Sequence, residues 1–341
     1  MVISVNSPMN EMPRRFVMIK CRWLAMLLGL VPWVLGAQSA DEEYVTPRTP
    51  EGQPDLQGIW SNAVITPLER PEELADQPFL SEAEADEYER RIAAASNMDN
   101  RSGGADADVR RAYNNFWWDR GTNVVATRRT SLIVDPPDGR VPPLTAAALE
   151  RADERAEARR LHGFDGPEDR PLAERCIVWP TAGPPMLPSA YNNNFQLVQT
   201  TDYVLIVNEM IHEARVVPLD GRPPLPGQVR QWLGSSRGRW EGDTLVVETT
   251  NFTDQTSFRG ASENMRLIER FTRIADDVLL YEFTVDDPDA FEQPWTVQIP
   301  AVRQDGLMYE YACHEGNESI RGVLAGARAE EAAAAEEEAE Q

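Results

Sequence analysis

The stretch Arg266-Leu267-Ile268-Glu269-Arg270-Phe271-Thr272-Arg273-Ile274, then Ala275-Asp276-Asp277, then Val278-Leu279-Leu280-Tyr281-Glu282-Phe283-Thr284-Val285 decides the fold class. Two runs rich in β-branched and aromatic residues flank a short acidic turn, the pattern of an antiparallel hairpin. Neighbouring residues in a strand point to opposite faces, so Arg266, Ile268, Arg270 and Thr272 share one side. Leu280, Glu282, Thr284 and Asp286 likewise share a side. Either face could turn inward, and the sequence leaves that open.

Outward from this hairpin the same signal recurs near 196–200, 203–210, 214–219, 244–252, 295–302 and 308–312, with Asp220-Gly221, Glu241-Gly242-Asp243 and Asp305-Gly306 as turns. Strand follows strand with no long helix between, which argues against a parallel sheet. A mainly β fold follows: an antiparallel up-and-down, lipocalin-like barrel, with a β-sandwich as the alternative. Residues 191–322 form this core. Residues 41–190 read as an irregular, partly helical N-terminal extension with short strands and two surface helices. One helix starts at the capping box of Ser81 and Glu84, the other at Thr145, dense in Ala, Glu and Arg. Residues 323–341 are an acidic low-complexity tail. Residues 1–40 read as a signal peptide: Arg14, Arg15, Lys20 and Arg22 precede an apolar run to Leu35, and Ala37-Gln38-Ser39-Ala40 supplies small residues for cleavage. The expected location is exported, periplasmic or secreted, with no membrane span in the mature chain.

Composition narrows the function. The formal charge is −23 over 341 residues, and removal of the basic leader makes the remainder more acidic still. Such a surface repels nucleic acid and anionic lipid. Lys20 is the only lysine and leaves with the leader, so no P-loop, Schiff-base or pyridoxal chemistry is expected. Neither a nucleophile elbow nor a dinucleotide fingerprint occurs, and the three histidines lack zinc spacing, so no cofactor and no metal are expected. Cys176 and Cys313 remain after cleavage and are expected to pair in an oxidising compartment, the alternative being a reactive cysteine beside His314.

The candidate catalytic residues are His212 with Glu209 and His314 with Glu315, since imidazole beside carboxylate transfers protons near neutral pH. Single histidines more often just hydrogen-bond within the fold. The candidate ligand-binding residues are Trp117, Trp118, Tyr191, Arg215, Trp240, Arg270 and Tyr311, aromatics for contact area and arginines for an anion. For any one aromatic, a place in the core is the competing reading.

The motifs Pro47-Arg48-Thr49-Pro50 through Pro54-Asp55-Leu56-Gln57-Gly58-Ile59-Trp60, Thr66-Pro67-Leu68-Glu69-Arg70-Pro71, Gly183-Pro184-Pro185-Met186, Arg239-Trp240-Glu241-Gly242-Asp243-Thr244-Leu245 and Tyr311-Ala312-Cys313-His314-Glu315-Gly316-Asn317 resemble an uncharacterised family of exported bacterial proteins. That resemblance implies export and transfers no catalytic residue. Gly58-Ile59-Trp60 before a strand meander also resembles the opening of lipocalin-type barrels. The expectation is an exported small-molecule-pocket protein: either a metal-independent acid–base enzyme acting on a small, partly apolar substrate, or a non-catalytic ligand-binding protein.

Overall fold

The computed structural model describes residues 44–100, 102, 104, 114–256 and 258–340, so the expected leader, 1–40, lies outside the described residues. In chain order the elements are β1 (Gly58–Ser61), α1 (Glu82–Ala95), β2 (Ile133–Asp135), α2 (Ala146–His162), β3 (Asn194–Gln199), β4 (Tyr203–Asn208), β5 (Ala214–Pro218), β6 (Ser235–Glu241), β7 (Thr244–Thr250), β8 (Arg266–Ala275), β9 (Val278–Asp286), β10 (Trp295–Gln304) and α3 (Ser319–Ala339). Both expected N-caps form. The Ser81 hydroxyl accepts from the Glu84 N–H while the Glu84 carboxylate accepts from the Ser81 N–H, and Thr145 caps α2 through the Ala148 N–H.

All ten strands belong to one antiparallel sheet in the order β5-β4-β3-β1-β10-β9-β8-β7-β6, with β2 paired to β10 beside that path. The hairpin of β8 and β9 is as expected, and burial now assigns its faces. Leu267, Glu269, Phe271 and Arg273 of β8 turn inward with Leu279, Tyr281, Phe283 and Val285 of β9. Ile268, Arg270 and Thr272 face outward, where Arg270 pairs with Glu241 at 2.9 Å. Two strand assignments differ. Residues 308–312 form no strand, and β6 (Ser-Ser-Arg-Gly-Arg-Trp-Glu) forms despite few β-favouring residues because its whole length pairs with β7.

The expected closed barrel is corrected: the sheet curls but does not close. β5 is five residues long and ends at Pro218, which has no N–H to donate, and a loop containing Pro223, Pro224 and Pro226 separates it from β6. The two edges instead meet through side chains. A Cβ on Gly238 of β6 would lie 2.8 Å from Val217 Cγ1 and 2.6 Å from Leu219 Cδ2, so a larger residue would have to push these side chains aside. Because all strands share one ladder, the two-sheet sandwich does not form either. The concave side is filled by Trp60, Phe195, Ile206, Val217, Leu245, Phe271, Tyr281, Phe283 and Ile299, which leaves side chains where a lipocalin would hold its ligand. Leu56, Leu132, Ile133 and Met186 join the same core, so the N-terminal half is packed into the sheet, giving a mixed α/β molecule built on a mainly β centre.

A buried ion pair lies within this apolar interior. Arg215 of β5 reaches across to Glu269 of β8, donating from Nη1 at 2.5 Å and Nη2 at 2.9 Å, with Glu269 fully buried. Tyr281 of β9 donates its hydroxyl to Glu269 Oε1 at 2.8 Å. Removing one partner of a buried pair strands the other charge. Glu269→Ala is expected to cost about 3–5 kcal/mol in urea unfolding. Glu248→Ala, which breaks the partly exposed pair with Arg266, should cost no more than about 1 kcal/mol. Equal losses would mean that the interior pair carries no special weight.

Candidate functional site

The loop between α2 and β3 builds the main surface feature. Its segment 181–187 is buried and turns sharply: the Ala182 and Gly183 N–H groups donate to the Trp179 carbonyl, and Leu187 N–H donates to Pro180. Gly183 has φ of 57°, and a Cβ there would lie 2.6 Å from the Pro185 carbonyl carbon, so this turn requires glycine. Asn208 of β4 holds the turn through the Ala182 carbonyl, and the Met186 N–H donates to the Tyr281 hydroxyl at 3.1 Å. The chain from Arg215 through Glu269 and Tyr281 thus ends at this loop. Burial holds the Tyr281 phenol protonated well above its ordinary range, with Glu269 adding to the effect, so it stays a donor to Glu269 and an acceptor from Met186.

Over this loop lies a cleft of 880 Å³ whose opposite walls are α2 and residues 254–256 with Phe258 and Arg259. Trp179, Pro184, Pro185, Leu187 and Phe258 supply apolar surface, while Arg155, Arg159, Arg170, Arg175 and Arg259 outnumber Glu168, Asp169 and Asp254. In a chain of charge −23 this local excess of cations is unusual. Arg170 is neutralised by Glu174 at 2.9 Å. Arg175 is anchored by the Glu168 carbonyl, which positions a guanidinium without cancelling its charge. Arg159 and Arg259 form no ion pair among the described residues. The buried Trp179 indole N–H, which also lines the cleft, has no acceptor among the described residues.

These arginines were not singled out from the sequence, although a signal existed. Arg151, Arg155 and Arg159 recur every four residues, which places them on one helix face. The helix reads as a solvated exterior because its apolar periodicity is weak. Arg155 and Arg159 of that face instead overlook the cleft, with Arg155 donating to the Asp254 carbonyl at 2.7 Å, while Arg151 turns to the Asp289 carbonyl.

Several expected site residues gather beside the cleft. Tyr191 is the hub of an aromatic cluster, with ring centroids 5.9 Å from Trp118, 6.5 Å from Trp179 and 6.3 Å from Tyr311. The Cys176–Cys313 disulfide, Cα to Cα 5.8 Å, lies against Met210 and Ile211 within this cluster. It fastens the segment after β10 to the loop that carries Trp179. Glu209 is buried, its Oε2 accepting from Asn194 at 2.8 Å, and its carbonyl accepts from the Tyr311 N–H.

Others lie apart. The backbone turns left-handed at Ile211 and His212, swinging the imidazole outward, where its nearest carboxylate is exposed Glu310 at 3.6 Å rather than Glu209. His314 and Glu315 are exposed in the turn after Cys313. Trp117 is exposed against Phe116, and Trp240 packs half-buried on the sheet core. Arg270 is on the outer face of the sheet, and Arg215 is committed to Glu269 in the interior. No group of three or more potential metal-binding side chains occurs among the described residues.

Comparison with family models, with curated proteins and with solved structures finds no match for this chain. The functional reading therefore rests on geometry.

Two outcomes test this region. Reducing the disulfide should remove roughly 3–5 kcal/mol of stability in the chain-entropy picture, seen as a lower melting temperature in dithiothreitol, whereas the Cys176→Ser/Cys313→Ser protein should not respond to reductant. Asp119 keeps an open edge to solvent, yet desolvation and then nearby Glu209 raise its carboxyl above the ordinary range. The fold therefore favours protonated Asp119, and its ionised form weighs against folding above that range. Asp119→Asn should be more stable than the parent at neutral pH, with the difference closing in acid as the parent carboxyl protonates. A gap independent of pH would contradict this.

Proposed function

We propose that this is an exported ligand-binding protein that holds a small, partly apolar anion in the arginine-lined cleft. The observation that carries the reading is the set Arg159, Arg175 and Arg259, none of them matched to a carboxylate among the described residues, over an apolar floor of Trp179, Pro184 and Phe258 in an otherwise acidic molecule. Planar guanidinium forks suit a carboxylate or phosphate, and the ring and proline surfaces suit the remainder of a flat molecule. Concave sites with a few convergent polar groups are the usual form of small-molecule sites.

Export is supported by the basic and apolar leader and by the disulfide, which suits an oxidising compartment. No helix among the described residues is long and apolar enough to cross a membrane. Turnover is not part of the reading, because His212 and Glu209 do not face one another and His314 is open to solvent. Binding without catalysis needs neither.

Isothermal titration with benzoate, 2-naphthoate and their neutral amides tests this. The carboxylates should bind and the amides should not, and added salt should weaken binding. Arg159→Glu/Arg259→Glu should lower affinity at least roughly tenfold, since two attractive charges become repulsive. Equal binding of acid and amide, or no effect of the double substitution, overturns the reading.

A further inference from the structure

The arginine cleft does not end at Arg259. Leu187, Pro188, Ser189 and Arg259 also form one side of a second groove, 370 Å³ in volume, whose remaining walls come from the segment after β1 and from α1. Its character differs. Val64, Ile65, Pro67, Leu68 and Leu132 line it with Ile92 of α1, and no carboxylate among the described residues does. Val64 and Leu68 pack at the margin of the main core. The only cations among the described residues that line it are Arg259, at the junction with the first cleft, and Arg120, which stacks over Trp118 at 4.6 Å. A ligand crossing the shared wall would pass from a cationic compartment with aromatic surface into an aliphatic one.

We infer that the ligand is an amphiphile, an alkyl carboxylate whose charged head is held by Arg259 in the arginine cleft and whose unbranched chain lies in the aliphatic groove between the 64–68 segment and Leu187. This rests on the anion-binding reading above and specifies the ligand class of that site. Charge complementarity fixes the direction: an anion at the junction is within reach of Arg259, which has no ion pair among the described residues, whereas none of the described residues lining the groove beyond it is a carboxylate. The groove lies outside the sheet, whose concave side is already filled by side chains.

The chain length of the ligand provides the test. Affinities of acetate, hexanoate, octanoate and decanoate, each below its micelle concentration, are measured by isothermal titration alongside benzoate and 1-octanol. Each methylene that enters the groove should raise affinity by up to roughly fourfold. Ile65→Ser should flatten this dependence, and Ile92→Ser on the surface helix α1 provides a second variant should the first fold poorly. Octanoate should compete with 2-naphthoate, and octanol should not bind. If benzoate binds with its arginine dependence while the alkyl series shows no gain with length, the amphiphile inference fails and the anion reading stands. If neither benzoate nor any alkyl carboxylate binds, the anion reading itself fails. If octanol binds as well as octanoate, the head-group assignment to Arg259 is wrong.

Discussion

The ion pair between Arg215 and Glu269 is the constraint around which the rest of the molecule is arranged. Burying two charges is costly unless geometry and further hydrogen bonds compensate, and here the guanidinium is bidentate while Tyr281 donates a third bond to the carboxylate. β5 and β8 are separated along the ladder by β4, β3, β1, β10 and β9, so the pair can form only if the sheet curls. A one-residue slip of β5 would send Arg215 to the solvent face, so the pair also fixes register in a strand too short to fix it by pattern alone. Through Tyr281 and the Met186 N–H the same chain of bonds ends beneath the cleft. The loop beneath the candidate site is thereby anchored to the core.

Much of the architecture was legible in the sequence for local reasons. Helix starts at Ser81 and Thr145 are side-chain to backbone chemistry within three residues, and the β8–β9 hairpin is a contiguous pattern. What was not legible depends on distant partners. The inward face of β8 carries Glu269 and Arg273, so hydrophobicity alone cannot identify it, and only Arg215, fifty-four residues away, explains the carboxylate. β6 has poor strand propensity and exists because β7 accepts it. Closure into a barrel depends on whether two edges can share a ladder, which Pro218 and the proline-rich loop decide.

The candidate site divides in the same way. The disulfide and the neighbourhood of Trp118, Tyr191, Glu209 and Tyr311 follow from residue types that were conspicuous in sequence. The arginines of the cleft were less so, because a four-residue spacing in an Ala- and Glu-rich helix also describes an ordinary solvated surface. What separates the two is the turn at Gly183, which brings Trp179 and the prolines opposite that face. His212 shows the converse: near Glu209 in sequence, its imidazole is carried away by a left-handed backbone at two successive residues.

The position of β1 has a kinetic meaning. This strand of four residues pairs with β3 on one side and β10 on the other, as Ile59 opposite Gln196 and Gln304 illustrates. Without it the rest of the main path falls into two separate meanders, β3 to β5 and β6 to β10, each assembled from neighbours in sequence, with β2 attached to β10. β1 is made first, yet its second partner ends at residue 304, so the seam between the two meanders cannot be completed until almost the whole chain exists. Such distant pairing makes joining slow compared with local hairpin formation. β1 is thus the single strand through which the two meanders share one hydrogen-bonded sheet.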